Sequence, residues 1–356
     1  MSSKPLILFD KPNKTYLSGE TLSGRVVIQN TEPISARSII INFFGITETW
    51  TINWCEPHCA RSLFNRSQIA WISQDGKNIL PPGKHEFRFA TVLPECPPSF
   101  RGGYGHNRYE VEVVTDTPWW ISGRVWDEFI ITRKLDDLPV SYWEDKRWVW
   151  RRHFQSGVIF NEGPIRVAVY LPNLVYLPGE TINVEMDIDN QSSTEIVRTY
   201  ASFCHQVHYH SRHQRTPCTS FESSQCPLSL SCQRYVSKGM GKIVYNDQVL
   251  AAHNQGTVTI QLPVPMEAKT PSFASGLMTL GYCVSVGLRT KNSFWQCIYM
   301  SVYIGERTVK VVKEEEKKRK GKEITKEEEQ KIRDIVQEAL KEQKKTDGVA
   351  PPAYIP

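Results

Sequence analysis

The residues of this chain best suited to chemistry lie in FCHQVHYHSRHQRTPC, Phe203–Cys218. On an extended strand Cys204, His208 and His210 fall on one face, and His-x-His is a spacing zinc accepts, because imidazoles two residues apart point the same way. Cys218, Cys226 or Cys232 would then complete a tetrahedron. Against a metal stand the lack of a tight Cys-x-x-Cys pair and the Ser/Pro-rich setting of the later cysteines. The economical reading is surface histidines on an edge strand among scattered thiols, so no metal or other cofactor is expected. Cys55-Glu-Pro-His-Cys59 is a weaker candidate of the same kind. A Cys–His nucleophile also needs an orienting carboxylate and donors for an oxyanion. Neither cluster carries them in sequence, so the chain reads as a non-enzyme with no catalytic residue.

A second motif is PPAY, Pro351–Tyr354. Proline locks φ at about −65°, so adjacent prolines hold a polyproline II helix that has little entropy left to lose. The aromatic groove of a WW domain accepts that shape, and Tyr354 adds a ring and a hydroxyl for a neighbouring pocket. The basic residues give weaker signals. Lys4, Lys11 and Lys14 flank the first strand and read as ordinary solvated lysines, while Lys317–Lys320 is hemmed in by glutamates and reads as a solvated charged face. A net charge of +5 suits contact with acidic groups or an anionic membrane face, but falls short of a nucleic-acid signature.

These residues need elements to hold them. Over the first 312 residues the pattern is of short strands: GRVVIQN, ARSIIINFFGI, KHEFRFATVL, NRYEVEVV, PIRVAVYL, INVEMDID, GTVTIQLPV and FWQCIYMSVYI, separated by turn clusters such as LPPGK and RGGYG. No segment before Val312 has helical periodicity, so an all-β chain of antiparallel sandwiches is expected. YLSGET at Tyr16 and YLPGET at Tyr176 each launch an alternating strand that closes at an Asn, Asn30 and Asn190. Leu22/Ile182, Val26/Met186 and Ile28/Ile188 share the buried parity. Two copies at domain-sized separation predict two tandem sandwiches, residues 1–155 and 156–312. YWEDKRWVWRRHFQSG, Tyr142–Gly157, is expected as a connector whose rings fill the waist between them. The tail, 313–356, is charge-rich. Thr325–Glu328 could cap an amphipathic helix with Ile332, Ile335, Val336, Ala339 and Leu340 on one stripe. The apolar run Pro5–Phe9 is too short for a signal-peptide core, so a soluble intracellular protein with mostly free thiols is expected.

Three stretches resemble the arrestin superfamily, and within it the α-arrestins, or arrestin-domain-containing proteins. They are ILFDKPNKTYLSGETLSGRVVIQN, LPPGKHEFRFATVLPECPPSFRGGYGHNRYEVEV (Leu80–Val113) and YLPGETINVEMDIDNQSSTEI (Tyr176–Ile196). The resemblance implies two arrestin-like β-sandwiches and an adaptor without catalysis. It further implies docking on the cytoplasmic parts of transmembrane cargo and recruitment of WW-domain HECT-type ubiquitin ligases through Pro351, Pro352 and Tyr354. The place of action it implies is the cytoplasm, with recruitment to plasma membrane and endosomes and peripheral membrane association, and no nucleic acid is involved. Arrestins present first-strand lysines to receptor phosphates, which makes Lys11 and Lys14 candidates for an acidic contact. The alternative within the same fold is a retromer-like cargo-sorting subunit acting without a ligase.

Overall fold

A computed structural model describes residues 4–50, 59–118, 122–157, 162–215, 218, 226–228, 232–291 and 293–306. Their regular structure is almost all strands, with one short 3-10 turn at Val140–Tyr142. In the first half they are β1 (Leu6–Phe9), β2 (Thr15–Leu17), β3 (Thr21–Asn30), β4 (Ile34–Ser35), β5 (Ser38–Thr49), β6 (Cys59–Ile72), β7 (Ile79–Leu80), β8 (Gly83–Val92), β9 (Phe100–Gly102), β10 (Gly105–Asp116) and β11 (Gly123–Thr132). In the second half they are β12 (Trp148–Ser156), β13 (Gly163–Leu171), β14 (Val175–Tyr176), β15 (Thr181–Asn190), β16 (Ile196–His210), β17 (Gln233–Asn246), β18 (Asn254–Pro263), β19 (Phe273–Ala274), β20 (Met278–Thr290) and β21 (Gln296–Ile304). Among the described residues no helix is long and apolar enough to cross a membrane, and the cysteines are free thiols.

The halves repeat one plan. A small sheet, β1-β3-β8, packs on a larger one, β2-β11-β10-β5-β6; likewise β12-β13-β15-β18 packs on β14-β21-β20-β16-β17. Alternation of side chains along each strand sends one parity into the space between sheets. Leu22, Val26 and Ile28 meet Ile39, Ile41, Phe43, Tyr109, Val111 and Phe129 in the first core. Ile182, Met186 and Ile188 meet Phe203, Val207, Val284 and Met300 in the second.

The repeated L-x-G-E-T turn makes the same set of bonds twice. Gly19 (φ 81°) and Gly179 (φ 88°) occupy the left-handed region that favours glycine. Their N–H groups donate to Leu93 O and Val264 O at 3.1 and 3.0 Å, and the Leu93 and Val264 N–H groups donate back to Glu20 O and Glu180 O. The carboxylates of Glu20 and Glu180 accept from the N–H groups of Leu17 and Leu177 at 2.9 and 2.8 Å. At the other end of each strand a buried Asn closes a corner. Asn30 Nδ2 donates to Glu32 O and Pro81 O, and Asn190 Nδ2 donates to Thr194 O and Ala251 O.

The aromatic connector expected at Tyr142–Gly157 is instead part of the second sandwich from Trp148 onward. Trp148–Ser156 pairs with β13 along its whole length, and Trp150 and Phe154 pack against the second core. Trp148, Trp150 and Phe154 share one half-buried parity, with Val149, Arg151 and His153 exposed between them, as an edge strand with one covered face needs. Tyr142, in the stretch of this tract that precedes the strand, packs on Trp148 and Tyr303 at ring-centroid distances of 5.3 and 5.7 Å.

Candidate functional site

The seam between the sandwiches is built by the turn RGGYG, Arg101–Gly105. A glycine pair lets the β9–β10 hairpin approach the second sandwich at backbone distance. The Tyr209 hydroxyl lies against this turn, so close that a Cβ on Gly102 would be 2.0 Å from it, and burial pushes its pKa up to about 12. The Tyr104 ring packs edge-on against Tyr209 at 5.8 Å, and Phe100 packs against Phe273 at 5.9 Å. Arg234 lies over the Tyr104 ring and donates to its hydroxyl at 3.0 Å. Thr49 Oγ1 donates across the seam to His210 O at 2.6 Å. This turn, which in the sequence separates two strands, therefore anchors one domain to the other.

His208 and His210 stand beside this seam. β16 is not an edge strand: it lies between β20 and β17. Phe203, Val207 and Tyr209 of β16 point into the sandwich, so Cys204, His208 and His210 face outward by alternation. They are nevertheless buried, His208 at 1% and His210 at 0% exposure, which overturns the reading as surface histidines. The cover comes from described residues of the connection between β16 and β17, Cys218 and Cys226–Leu228 among them. Thr279 Oγ1, on the neighbouring strand, donates to Cys218 O, and Gln233 Nε2 donates to Leu228 O at 2.9 Å.

Under that cover one ligand atom from each of His208, His210, Cys218 and Cys226 lies within 4.8 Å of the other three. The two imidazoles are 4.3 Å apart between centroids, and Cys218 Sγ is 3.8 Å from His208 Nδ1. His208 Nε2 is 2.9 Å from Gln233 Oε1, which fixes the ring and turns Nδ1 toward the thiols. Neither ring nitrogen of His210 has a hydrogen-bond partner. Burial and the neighbouring His208 lower its pKa to about 4.

Cys204 does not join this group. A strand rises about 3.3 Å per residue, so its thiol is anchored about 13 Å from the His208 position and about 20 Å from that of His210, too far to share a metal with both. It instead faces Cys283 across the β16–β20 ladder, and a hydrogen bond with that thiol lowers its pKa. The same arithmetic on the sequence excludes Cys204; what the sequence does not carry is which later cysteines fold back over the sheet. Cys232 O accepts from Ser211 N at 2.9 Å, and its thiol is not among the four ligands.

Lys11 and Lys14 are engaged within the first sandwich. Lys11 pairs with Glu20, and Lys14 Nζ lies 2.6 Å from Asp127 Oδ2. Each ammonium also sits by a ring, 5.0 Å from the Tyr16 centroid and 5.3 Å from that of Phe9. An anionic partner would have to displace a carboxylate from either lysine. Pro351, Pro352, Tyr354, the tail helix and Lys317–Lys320 lie outside the described residues, as do Cys55 and His58. Cys59 packs against the second core.

Residues 6–137 match the family model "Arrestin (or S-antigen), N-terminal domain", and residues 161–309 match "Arrestin (or S-antigen), C-terminal domain". The chain is 30% identical to Arrestin domain-containing protein 17 of Caenorhabditis elegans over 52% of this chain and 48% of that protein. It is 27% identical to human Arrestin domain-containing protein 4 over 61% of this chain and 55% of that protein. With human Thioredoxin-interacting protein it shares 26% identity over 54% of this chain and 51% of that protein. The chain thus spans about half the length of the curated relatives it matches. Two arrestin domains in tandem on two sandwiches of one plan, with these relatives, show that the chain belongs to the arrestin-domain-containing family, the α-arrestins, whose members are adaptors rather than enzymes.

Proposed function

We propose that this α-arrestin links transmembrane cargo to a HECT-type ubiquitin ligase, with Pro351, Pro352 and Tyr354 as the ligase's WW-domain ligand and the sandwiches as the cargo-binding body. The place of action is the cytoplasmic face of plasma membrane and endosomes, and the outcome is cargo ubiquitination, endocytosis and sorting. The observation that carries this reading is a PPAY sequence on the C-terminal side of two arrestin domains. Polyproline II recognition spends little ordering entropy on the ligand, so four residues suffice for specific, reversible contact. A single motif has no avidity gain from a tandem partner, so a second contact between ligase and sandwich adds directly to affinity.

The test is binding of the full chain to isolated WW domains of HECT ligases, read by calorimetry or polarisation, with Tyr354→Ala as the variant. Affinity is expected to fall at least tenfold, while the thermal unfolding profile stays unchanged. Wild-type chain that binds no such domain, or a variant that binds as well as wild type, would refute the ligase link and favour a ligase-independent sorting subunit. In cells, proximity labelling is expected to lose the ligase and keep the cargo when Tyr354 is replaced.

A further inference from the structure

We propose that His208, His210, Cys218 and Cys226 form a structural zinc site that clamps the β16–β17 connection onto the outer face of the second sandwich, beside the interdomain seam. The proposal goes beyond the adaptor reading and does not depend on it.

Four observations converge. The first is the donor set: two imidazoles and two thiols whose ligand atoms all lie within 4.8 Å of one another. Tetrahedral zinc with bonds of about 2.0 Å to nitrogen and 2.3 Å to sulfur needs ligand separations of about 3.3–3.8 Å, so a contraction of about 1 Å closes the site. The second is charge. Two thiolates neutralise a divalent cation, so the loaded site carries no net charge into a buried place, where an uncompensated ion would be costly. Mixed imidazole and thiolate donors suit zinc over the oxygen-seeking magnesium and calcium.

The third observation is His210. It is fully buried and neither ring nitrogen has a partner, although such a group ordinarily finds one and loses about 1–3 kcal/mol when it does not. A metal supplies that partner. The fourth is the surrounding shell. Gln233 holds His208 through Nε2 at 2.9 Å, the oriented arrangement that metal-ligating histidines use. Its amide then donates to Leu228 O, two residues beyond Cys226, and Thr279 holds Cys218 O. Ligands and supports thus tie three strands and the connection to one point.

The site would pin the described residues of the connection, Cys218 and Cys226–Leu228, to the sheet face. It also sits on the seam, because the carbonyl of the ligand His210 accepts from Thr49 of the first sandwich. Zinc release would loosen both the cover and this contact.

The experiment measures metal in the full chain, purified under reducing conditions and equilibrated with zinc before dialysis against metal-free buffer. About one zinc per chain is expected by mass spectrometry. The Cys218→Ser/Cys226→Ser double variant and His210→Asn should each retain at least fivefold less, whereas Cys204→Ser should keep the full amount. Because the ligand variants could fail to fold, the wild-type chain is also stripped with chelator and titrated with cobalt alone. The intense visible bands of tetrahedral cobalt with a thiolate charge-transfer band are expected, and removal of metal should open residues 211–232 to protease. A wild-type chain that retains no zinc overturns the proposal, and so does an octahedral cobalt spectrum. Equal loss in Cys204→Ser, or a Cys218–Cys226 disulfide in the native protein, would overturn it as well.

Discussion

Two adjacent glycines in the seam should respond oppositely to the same methyl group. A Cβ built on Gly102 would lie 2.0 Å from Tyr209 Oη, whereas one on Gly103 meets nothing within 4 Å. Neither residue has a positive φ, so backbone strain does not distinguish them. In Gly102→Ala the Tyr209 phenol must move, and Tyr209 is a core residue only 1% exposed. Displacing it pulls the hydroxyl away from the backbone of Gly103 and Tyr104, whose neighbourhood favours the ionised phenol, at about 1–3 kcal/mol for a buried polar group moved out of its setting. The overpacking adds about 1–3 kcal/mol, against a gain of about 0.4–1 kcal/mol from the stiffer unfolded chain. The net expectation is a loss of about 2–4 kcal/mol. At about 2–4 °C per kcal/mol for chains of this order of size, the melting temperature should fall by roughly 4–16 °C. Gly103→Ala keeps only the unfolded-state term and should match or slightly exceed wild type. Chemical denaturation of the three proteins side by side, with hydrogen exchange at Tyr104 and Tyr209, decides the matter. Equal midpoints for the two variants would refute the claim that this turn couples the domains through backbone contact.

The repeated turn predicts that Gly19→Ala and Gly179→Ala each cost about 1–2 kcal/mol, the penalty for an L residue in the left-handed region. A methyl on Gly179 would also meet Met266 Sδ at 2.9 Å, but Met266 is 61% exposed and can swing aside; Gly179→Val should cost more, and unchanged denaturation midpoints would contradict the turn assignment. The corners should differ: Asn190→Ala removes bonds to Thr194 O, Ala251 O and Ser192, whereas Asn30 Oδ1 has no partner. Calorimetry should therefore find Asn190→Ala the more destabilised, by about 1 kcal/mol or more. Lys11 and the Leu17 N–H hold the Glu20 carboxyl below the usual range. A depressed carboxyl stabilises the fold above its unfolded-state value and loses that contribution as pH falls through its folded value. The stability gap between wild type and Glu20→Gln should accordingly be about 1 kcal/mol near neutral pH, after solvent screening, and close on acidification; a gap that widens toward low pH would contradict the pairing.

Much of the fold was legible because alternation and turn chemistry are local. β3 and β15 read directly from the repeat, and Phe87 and Phe89 gave the inward face of β8. β6 was not legible: it ends its sheet, is mostly exposed, and its polar run shows no alternation. β17 hides behind SKGMGK, where Gly239 and Gly241 break the pattern. The seam was missed because a glycine turn looks the same whether it faces water or another domain. For the histidines, parity predicted the shared face, but their burial depends on a connection that returns over the sheet, and no local pattern records that.

Each short strand that precedes the repeated turn pairs in parallel with the last strand of its sandwich. Thr15 pairs with Ile130, and Val175 with Tyr303. As the chain leaves the ribosome, β2 therefore has no partner until β11 has been made, and β14 none until β21. Each half must wait, with a sheet edge open, for a contact of high loop-closure entropy. The penultimate stage of synthesis is thus the vulnerable one, when unpaired strand edges invite association with other chains. A premature stop within β21 would leave the second sandwich unable to close and turn an adaptor into a client of chaperones, although most of its core residues would already be present.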